Sequence, residues 1–215
     1  MDDEEAVRAK IMSHALNIFK VHGFDGFSMR KLANPLGIAS KTLYNYFSNK
    51  DEIYLHILIE GFDQLYLAFK SAVENVSPPH ESLAAAIRAY INFGLENVNI
   101  YDLMFTWHKP KFNDYVGTST EELARRELDS ALRCDEFFMG LIQSCVTSEP
   151  AVTESEIRFE MIQIWSQMHG YVANLNNTSL SYLHPEPIAL KDAVIKRIVK
   201  NALYNLEILS RHINS

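Results

Sequence analysis

Ser28-Met29-Arg30-Lys31-Leu32-Ala33-Asn34-Pro35-Leu36-Gly37-Ile38-Ala39-Ser40-Lys41-Thr42-Leu43-Tyr44-Asn45-Tyr46-Phe47 is the stretch on which the fold turns. Its pattern is a short helix, a glycine turn and a second short helix. Ser28 is a good N-cap, and Met29, Leu32, Ala33 and Leu36 fall on one face behind it. Ala33 is small where two helices must cross closely. Gly37, four residues on, permits a left-handed turn. Ile38 and Leu43 plug the space between the helices. In a helix-turn-helix the second helix enters the major groove while the first crosses the backbone. The groove side would then carry Ser40, Lys41, Tyr44 and Asn45. Each can hydrogen-bond a phosphate or a base edge, and lysine can read guanine acceptors. The spacing alone also fits an ordinary helical hairpin with a polar face.

Outward from this stretch the chain reads as all helix. Val7, Ile11, Ala15, Ile18 and Phe19 line one face of a first helix that stops at Gly23. Ser48-Asn49-Lys50-Asp51 reads as the cap of a long fourth helix reaching about Asn75, apolar nearly all round. Ser77-Pro78-Pro79 breaks the chain. Further helices are predicted at about 81–97, 100–107, 121–146, 153–176 and 187–213, with irregular segments at 109–120 and 176–185. No alternating stretch suits a sheet. The expectation is an all-α fold of nine helices, three in a helix-turn-helix domain over 1–50 and six in a helical effector-binding and dimerisation domain over 51–215.

Charge divides along the same line. The 215 residues hold 20 Lys and Arg against 27 Asp and Glu, a net −7 that on its own points away from nucleic acid. The average hides a split: residues 6–50 carry seven basic residues and one acid, residues 1–5 are −4, and residues 51–215 are −9. With 47% hydrophobic residues the chain can bury a sizeable core. The acidic opening residues do not read as a signal peptide. The longest uncharged run, Met161–Pro185, is too rich in Gln, Ser, Asn, Thr and His to span a membrane. A soluble cytoplasmic protein with no membrane partner is expected. Cys134 and Cys145 read as small core residues.

The run Ala15-Leu16-Asn17-Ile18-Phe19, Gly23-Phe24, Phe27 through Ala33, Leu36-Gly37-Ile38 and Thr42-Leu43-Tyr44-Asn45-Tyr46-Phe47-Ser48-Asn49-Lys50-Asp51 strongly resembles the N-terminal domain of TetR/AcrR-type transcriptional regulators. The resemblance covers about residues 8–58. It implies double-stranded DNA, as a pseudo-palindromic operator, for a partner. It implies that Ser28 and Arg30 hold phosphate, that Ser40, Lys41, Thr42, Tyr44 and Asn45 belong to the reading surface, that Tyr46 meets the backbone, and that Lys50 meets a phosphate at a helix N-terminus. Two positions depart from the pattern. Ala39 stands where family members place a capping Ser or Thr. Ser40 is the next available cap, and in that role its hydroxyl is lost to DNA. Pro35 removes a helical N–H, so the second helix is expected to be kinked or short.

The resemblance also implies a homodimer. Met161, Met168 and Val172 in one helix and Ile198, Ala202, Leu206 and Leu209 in the last form stripes that would fit its seam. Trp165-x-x-x-His169-Gly170 looks like the Trp…His-Gly signature of one subgroup of the family. His169 is read either as a satisfied buried polar group or as a ligand contact. Gly170 would let helices approach closely. For a small hydrophobic or aromatic effector the candidate wall is Phe62, Tyr66, Tyr101, Met104, Phe105, Trp107, His108, Phe138, Trp165 and His169, each also an ordinary core residue by type.

Enzyme chemistry finds little support. There is no phosphate loop, no His-Glu-x-x-His, no Cys-x-x-Cys and no Gly-x-Ser-x-Gly, and Ser28-x-x-Lys31 lies in the DNA helix. His14, His22, His56, His80 and His184 have no metal spacing. No catalytic residue, cofactor or metal is predicted. The expected function is a ligand-responsive repressor. The alternative is a helical adaptor of the same fold without sequence-specific DNA binding.

Overall fold

The computed structural model describes residues 3–106, 110–146 and 152–212. Among them are ten α-helices, a π-helical segment at Asp102–Thr106 and two 3-10 turns at Ser179–Tyr182 and Pro187–Leu190, with no strand. The chain forms two compact units, Met1–Asp63 with Asn99–Leu132, and Gln64–Val98 with Arg133–Ser215. The division falls within two long helices rather than at residue 50.

The first unit holds α1 (Asp3–His22), α2 (Met29–Leu36), α3 (Ser40–Leu43) and the opening of α4 (Lys50–Val73). It also holds α6 (Val98–Tyr101) from Asn99 on and α7 (Phe112–Tyr115), and it opens α8 (Glu121–Ser144). Gly23 ends α1 at φ 69°, its N–H bonded to the Phe19 carbonyl at 2.8 Å. The chain then turns so that Phe19 stacks on Phe27 at 4.3 Å, while Tyr54 of α4 meets Phe24 edge-on at 5.0 Å. Ser28 caps α2 by accepting from Lys31 N–H at 3.2 Å. At the far end Gly37 adopts φ 65°. Its N–H bonds Asn34 O at 3.1 Å and Ile38 N–H bonds Ala33 O at 3.3 Å. That pair of bonds is a Schellman cap, which needs a left-handed residue at this position. Pro35 lies within α2, and α2 still runs to Leu36 in eight residues, so it is short as expected.

Two details differ from expectation. α3 keeps only four helical residues and continues as a turn through Tyr46. The α4 cap sits one residue later than predicted: Asn49 Oδ1 accepts from Glu52 N–H at 2.8 Å, and Glu52 Oε2 accepts from Ser48 N–H at 2.6 Å. Ser48 contributes its backbone to this reciprocal box, and Asn49 contributes the side chain. Further along, α7 lies in a segment predicted to be irregular. Lys111 N–H bonds Asp114 Oδ2 at 2.7 Å, and Tyr115 Oη donates to Asp51 Oδ1 at 3.2 Å.

The second unit is built on α5 (Pro79–Glu96), α9 (Glu154–Asn176) and α10 (Lys191–His212), which pack pairwise. Leu83, Ile87 and Ile91 of α5 are buried with Ile157, Ile164, Met168 and Val172 of α9 and Ile195, Ile198, Ala202 and Leu206 of α10. A buried carboxylate interrupts this apolar set. Glu160 is 4% exposed, and Asn205 Nδ2 donates to it at 3.2 Å. Thr153 caps α9 reciprocally with Glu156. Among the described residues no helix is long and apolar enough to cross a membrane.

Candidate nucleic-acid interface

The turn between α2 and α3 leaves one polar side open. Arg30, Lys31, Lys41, Tyr44 and Asn45 are exposed, and Ser28, Ser40, Thr42 and Tyr46 are half-buried. Arg30 and Lys41 have no ion-pair partner among the described residues, so both cations are available to a phosphate. Tyr44 is 54% exposed, so its ring and hydroxyl are open to a partner. Leu43 is buried beneath, which fixes the face that Lys41, Tyr44 and Asn45 present.

Ala39 is the N-cap residue of α3, extended at φ −70°, ψ 142°, with no side-chain cap. Ser40 is the first helical residue rather than a late cap, so its hydroxyl is not drawn into capping. Ser28, in contrast, uses its oxygen on Lys31 N–H. Two lysines are folded back. Lys31 Nζ donates to Gly26 O at 2.8 Å. Lys50 Nζ donates to Phe24 O at 3.3 Å and lies 4.1 Å from the Phe24 ring centroid. An ammonium has three donors, so Lys50 retains two for an anion near the start of α4.

Behind this face a charged cluster joins α1 and α4. Arg8 Nη1 donates to the Tyr46 carbonyl, and its guanidinium carbon lies 4.1 Å from the Phe47 ring centroid. Arg8 Nη2 is 3.8 Å from Glu52 Oε1, and His56 Nε2 is 3.9 Å from the same oxygen. The His56 ring meets Phe47 edge-on at 5.9 Å. Burial, reinforced by the Arg8 and Arg126 cations and opposed by Glu52, holds His56 below the ordinary histidine range. Arg8 is one of the seven basic residues of 6–50, with no role of its own predicted from the sequence. Only its spacing to Tyr46 in the folded chain reveals it.

The predicted effector residues separate into groups. In the first unit Phe62 meets Phe105 edge-on at 5.8 Å, Phe105 meets Tyr101 at 5.0 Å, and Met104 lies beside Gly61. A Cβ at Gly61 would come 2.7 Å from Met104 Sδ, so the absent side chain lets α4 approach this segment. In the second unit Phe138 packs on Phe69 at 5.7 Å, and Tyr66 lies edge-on to Phe137 with Arg133 4.5 Å from its ring. Trp165 and His169 stack on each other at 5.0 Å on α9, with Trp165 38% exposed. Trp107 and His108 lie outside the described residues.

The stripe predicted as a dimer seam faces inward. Met168, Val172, Ile198, Ala202 and Leu206 are all buried by the chain's own packing, Met161 is half-buried, and the Leu209 side chain is outside the described set. Instead α9 exposes Phe159, Ile162 and Trp165. A Cβ at Gly170, on that same side of the helix, would meet nothing within 4 Å among the described residues.

Comparison with known proteins agrees with the geometry. The model for bacterial regulatory proteins of the tetR family matches residues 11–57. The model for the tetracyclin repressor-like C-terminal domain matches residues 83–198. The HTH-type transcriptional activator FasR of Mycolicibacterium smegmatis is 28% identical over 109 residues, 51% of this chain and 47% of that protein. An HTH-type transcriptional regulator of Staphylococcus aureus is 24% identical over 95 residues, 44% of this chain and 51% of that protein. The matched stretch spans about half the length of these curated relatives. Among solved structures, the TetR family regulator PfmR of Thermus thermophilus aligns with TM-score 0.65 and 19% identity, covering 88% of this chain and 97% of that one. The regulator FadR of Bacillus subtilis, solved in complex with stearoyl-CoA, aligns with TM-score 0.66 and 17% identity, covering 89% and 97%. At these identities the structural likeness concerns the fold.

Proposed function

The chain belongs to the TetR family of bacterial regulatory proteins, and on that premise we propose that it is a homodimeric repressor, released from its operator by a small hydrophobic or aromatic effector. The family consists of DNA-binding transcriptional regulators rather than enzymes, and the adaptor alternative is not favoured by its relatives. The observation that carries the reading is the exposed Arg30, Lys41, Tyr44 and Asn45 surface over a buried Leu43. Lys41, Tyr44 and Asn45 reach base edges, Ser40 and Thr42 support them, and Ser28, Arg30, Tyr46 and Lys50 meet phosphates.

Two copies are needed because one short helix reads only a few base pairs. A dimer presents two recognition helices about one DNA turn apart and matches a pseudo-palindromic site. The exposed Phe159, Ile162 and Trp165 of α9 supply the apolar centre of its interface, which should bury more than about 1,000 Å². Trp165 and His169 thereby belong to the seam rather than the effector site. The effector meets the Phe62, Tyr101, Met104 and Phe105 group and favours a dimer whose recognition helices are badly spaced for DNA. Release then follows from the effector's differential affinity for the two states.

Fluorescence anisotropy with duplex DNA from upstream of its own gene tests this reading. Binding that weakens steeply with salt, and is lost on adding a compound that also raises the melting temperature, supports it. Long-chain fatty acids and their thioesters are the first compounds to try, since the Bacillus subtilis regulator was solved with one. Absence of binding to any upstream duplex would remove the reading. In transcription assays, activation instead of repression would reverse the sign only, as the name of the Mycolicibacterium relative indicates.

A further inference from the structure

We propose that Arg8 is a positioning residue for DNA recognition, one that fixes the trailing end of the recognition segment without touching DNA. It lies three residues ahead of the matched stretch at 11–57. α3 has only four helical residues, and its Thr42 and Leu43 carbonyls are met by the N–H groups of Asn45, Tyr46 and Phe47, which leaves the Tyr46 carbonyl, in the turn beyond, to be met by a side chain. The Tyr46 carbonyl is satisfied by Arg8 Nη1, and the guanidinium face lies 4.1 Å from the ring of the next residue, Phe47. Arg8 Nη2 completes the arrangement on Glu52 Oε1 at 3.8 Å, while Glu52 Oε2 holds Ser48 N–H at 2.6 Å. One guanidinium and one carboxylate thus bind three consecutive residues, Tyr46, Phe47 and Ser48, to α1 and α4.

The arrangement requires arginine. A guanidinium donates in two directions in its plane and presents a flat face for stacking, whereas a lysine ammonium is a single point charge. Its charge is also committed. The Arg8 side chain is 30% exposed and faces Glu52, so it differs from Arg30 and Lys41, whose cations are free for phosphate. Loss of Arg8 would let the 44–48 turn shift, and with it Tyr44 and Asn45.

This inference rests on the reading that Lys41, Tyr44 and Asn45 face DNA, and the test separates the two. Anisotropy is measured for wild type, Arg8→Lys and Arg8→Ala across a salt series, on an upstream duplex and on a duplex of random sequence. All measurements are made well below each protein's melting temperature. Arg8→Lys keeps the charge and guards against a variant that fails to fold. The expected result for it is a loss of about tenfold on the upstream duplex, comparable to one base-edge contact. The random duplex should lose much less, and the salt slope should not change. In Arg8→Ala, which removes the charge, equal losses on both duplexes with a salt slope reduced by about 0.9 would make Arg8 a phosphate contact and overturn the proposal. Wild-type affinity in Arg8→Lys would overturn it as well. Failure of the wild type to bind either duplex would bring down the parent reading, and this inference with it.

Discussion

At the scale of single residues, the strongest local forces here are caps and buried charges. Ala39 occupies an N-cap position in extended conformation with no side-chain acceptor. Ala39→Ser should therefore stabilise the protein by about 0.5–1 kcal/mol, measured by urea denaturation. An unchanged midpoint would mean that the turn cannot place a serine oxygen over the first helical N–H groups. His56 gives a pH dependence. Its folded pKa is lowered by burial, with Arg8 and Arg126 acting in the same sense and Glu52 against. A lowered pKa means the unfolded chain binds the proton more readily. The contribution to stability is therefore complete above the ordinary histidine value of about 6.5 and declines as pH falls below it. Denaturation at pH 7.5 and 5.5 should show a loss of stability in the wild type that is smaller in His56→Gln. Equal losses in both would assign the pH effect to carboxylates elsewhere. Gly37, Ser28 and the apolar spacing of α2 were legible in the sequence because each acts on its nearest neighbours. Arg8 was not, since its partner carbonyl lies 38 residues away.

Elements show where periodicity informs and where it fails. The helices could be read from spacing, and most ends shifted by a residue or two because several capping residues compete, whereas α10 opens four residues later than predicted, after the 3-10 turn at Pro187–Leu190. Ser48 and Asn49 are both good caps, and the reach of Glu52 decided for Asn49. α7 was missed because four residues between Pro110 and Gly117 carry no period. The face of α9 is more instructive. That helix has an inner apolar stripe, Ile157, Ile164, Met168 and Val172, and an outer one, Phe159, Ile162 and Trp165. A one-dimensional pattern cannot say which of two apolar stripes the chain covers itself. The close approach of α4 to the segment carrying Ile100 and Met104 makes a prediction at this scale. A Cβ at Gly61 would lie 2.7 Å from Met104 Sδ and 3.0 Å from Ile100 Cδ1. Gly61→Val adds three carbons there and should cost about 1–3 kcal/mol by overpacking, read as a lower denaturation midpoint. A midpoint equal to the wild type would show that Met104 and Ile100 can swing aside.

For the whole molecule the net charge of −7 is a poor guide and its distribution a good one. The +6 over residues 6–50 marks the surface proposed to meet DNA, and the −9 over 51–215 would repel DNA from the rest. The same distribution constrains the proposed dimer. Two copies of an acidic body repel, so the seam must rest on apolar contact, and Phe159, Ile162 and Trp165 are the exposed apolar residues of α9. Replacing Phe159 and Trp165 together with glutamate removes the centre of that seam and adds like charge on both sides of it. Neither change touches the buried stripe at Ile164 and Met168, so helical content by circular dichroism should stay at the wild-type level. Light scattering after size exclusion should then report a monomer where the wild type is a dimer. Affinity for an upstream duplex should fall by about a hundredfold or more, because the second half-site is no longer delivered at high effective concentration. Salt separates the two effects: raising it should weaken DNA binding by the wild type while leaving its dimer intact or tighter, since screening removes the repulsion between bodies. A double variant that remains dimeric would place the seam on another surface.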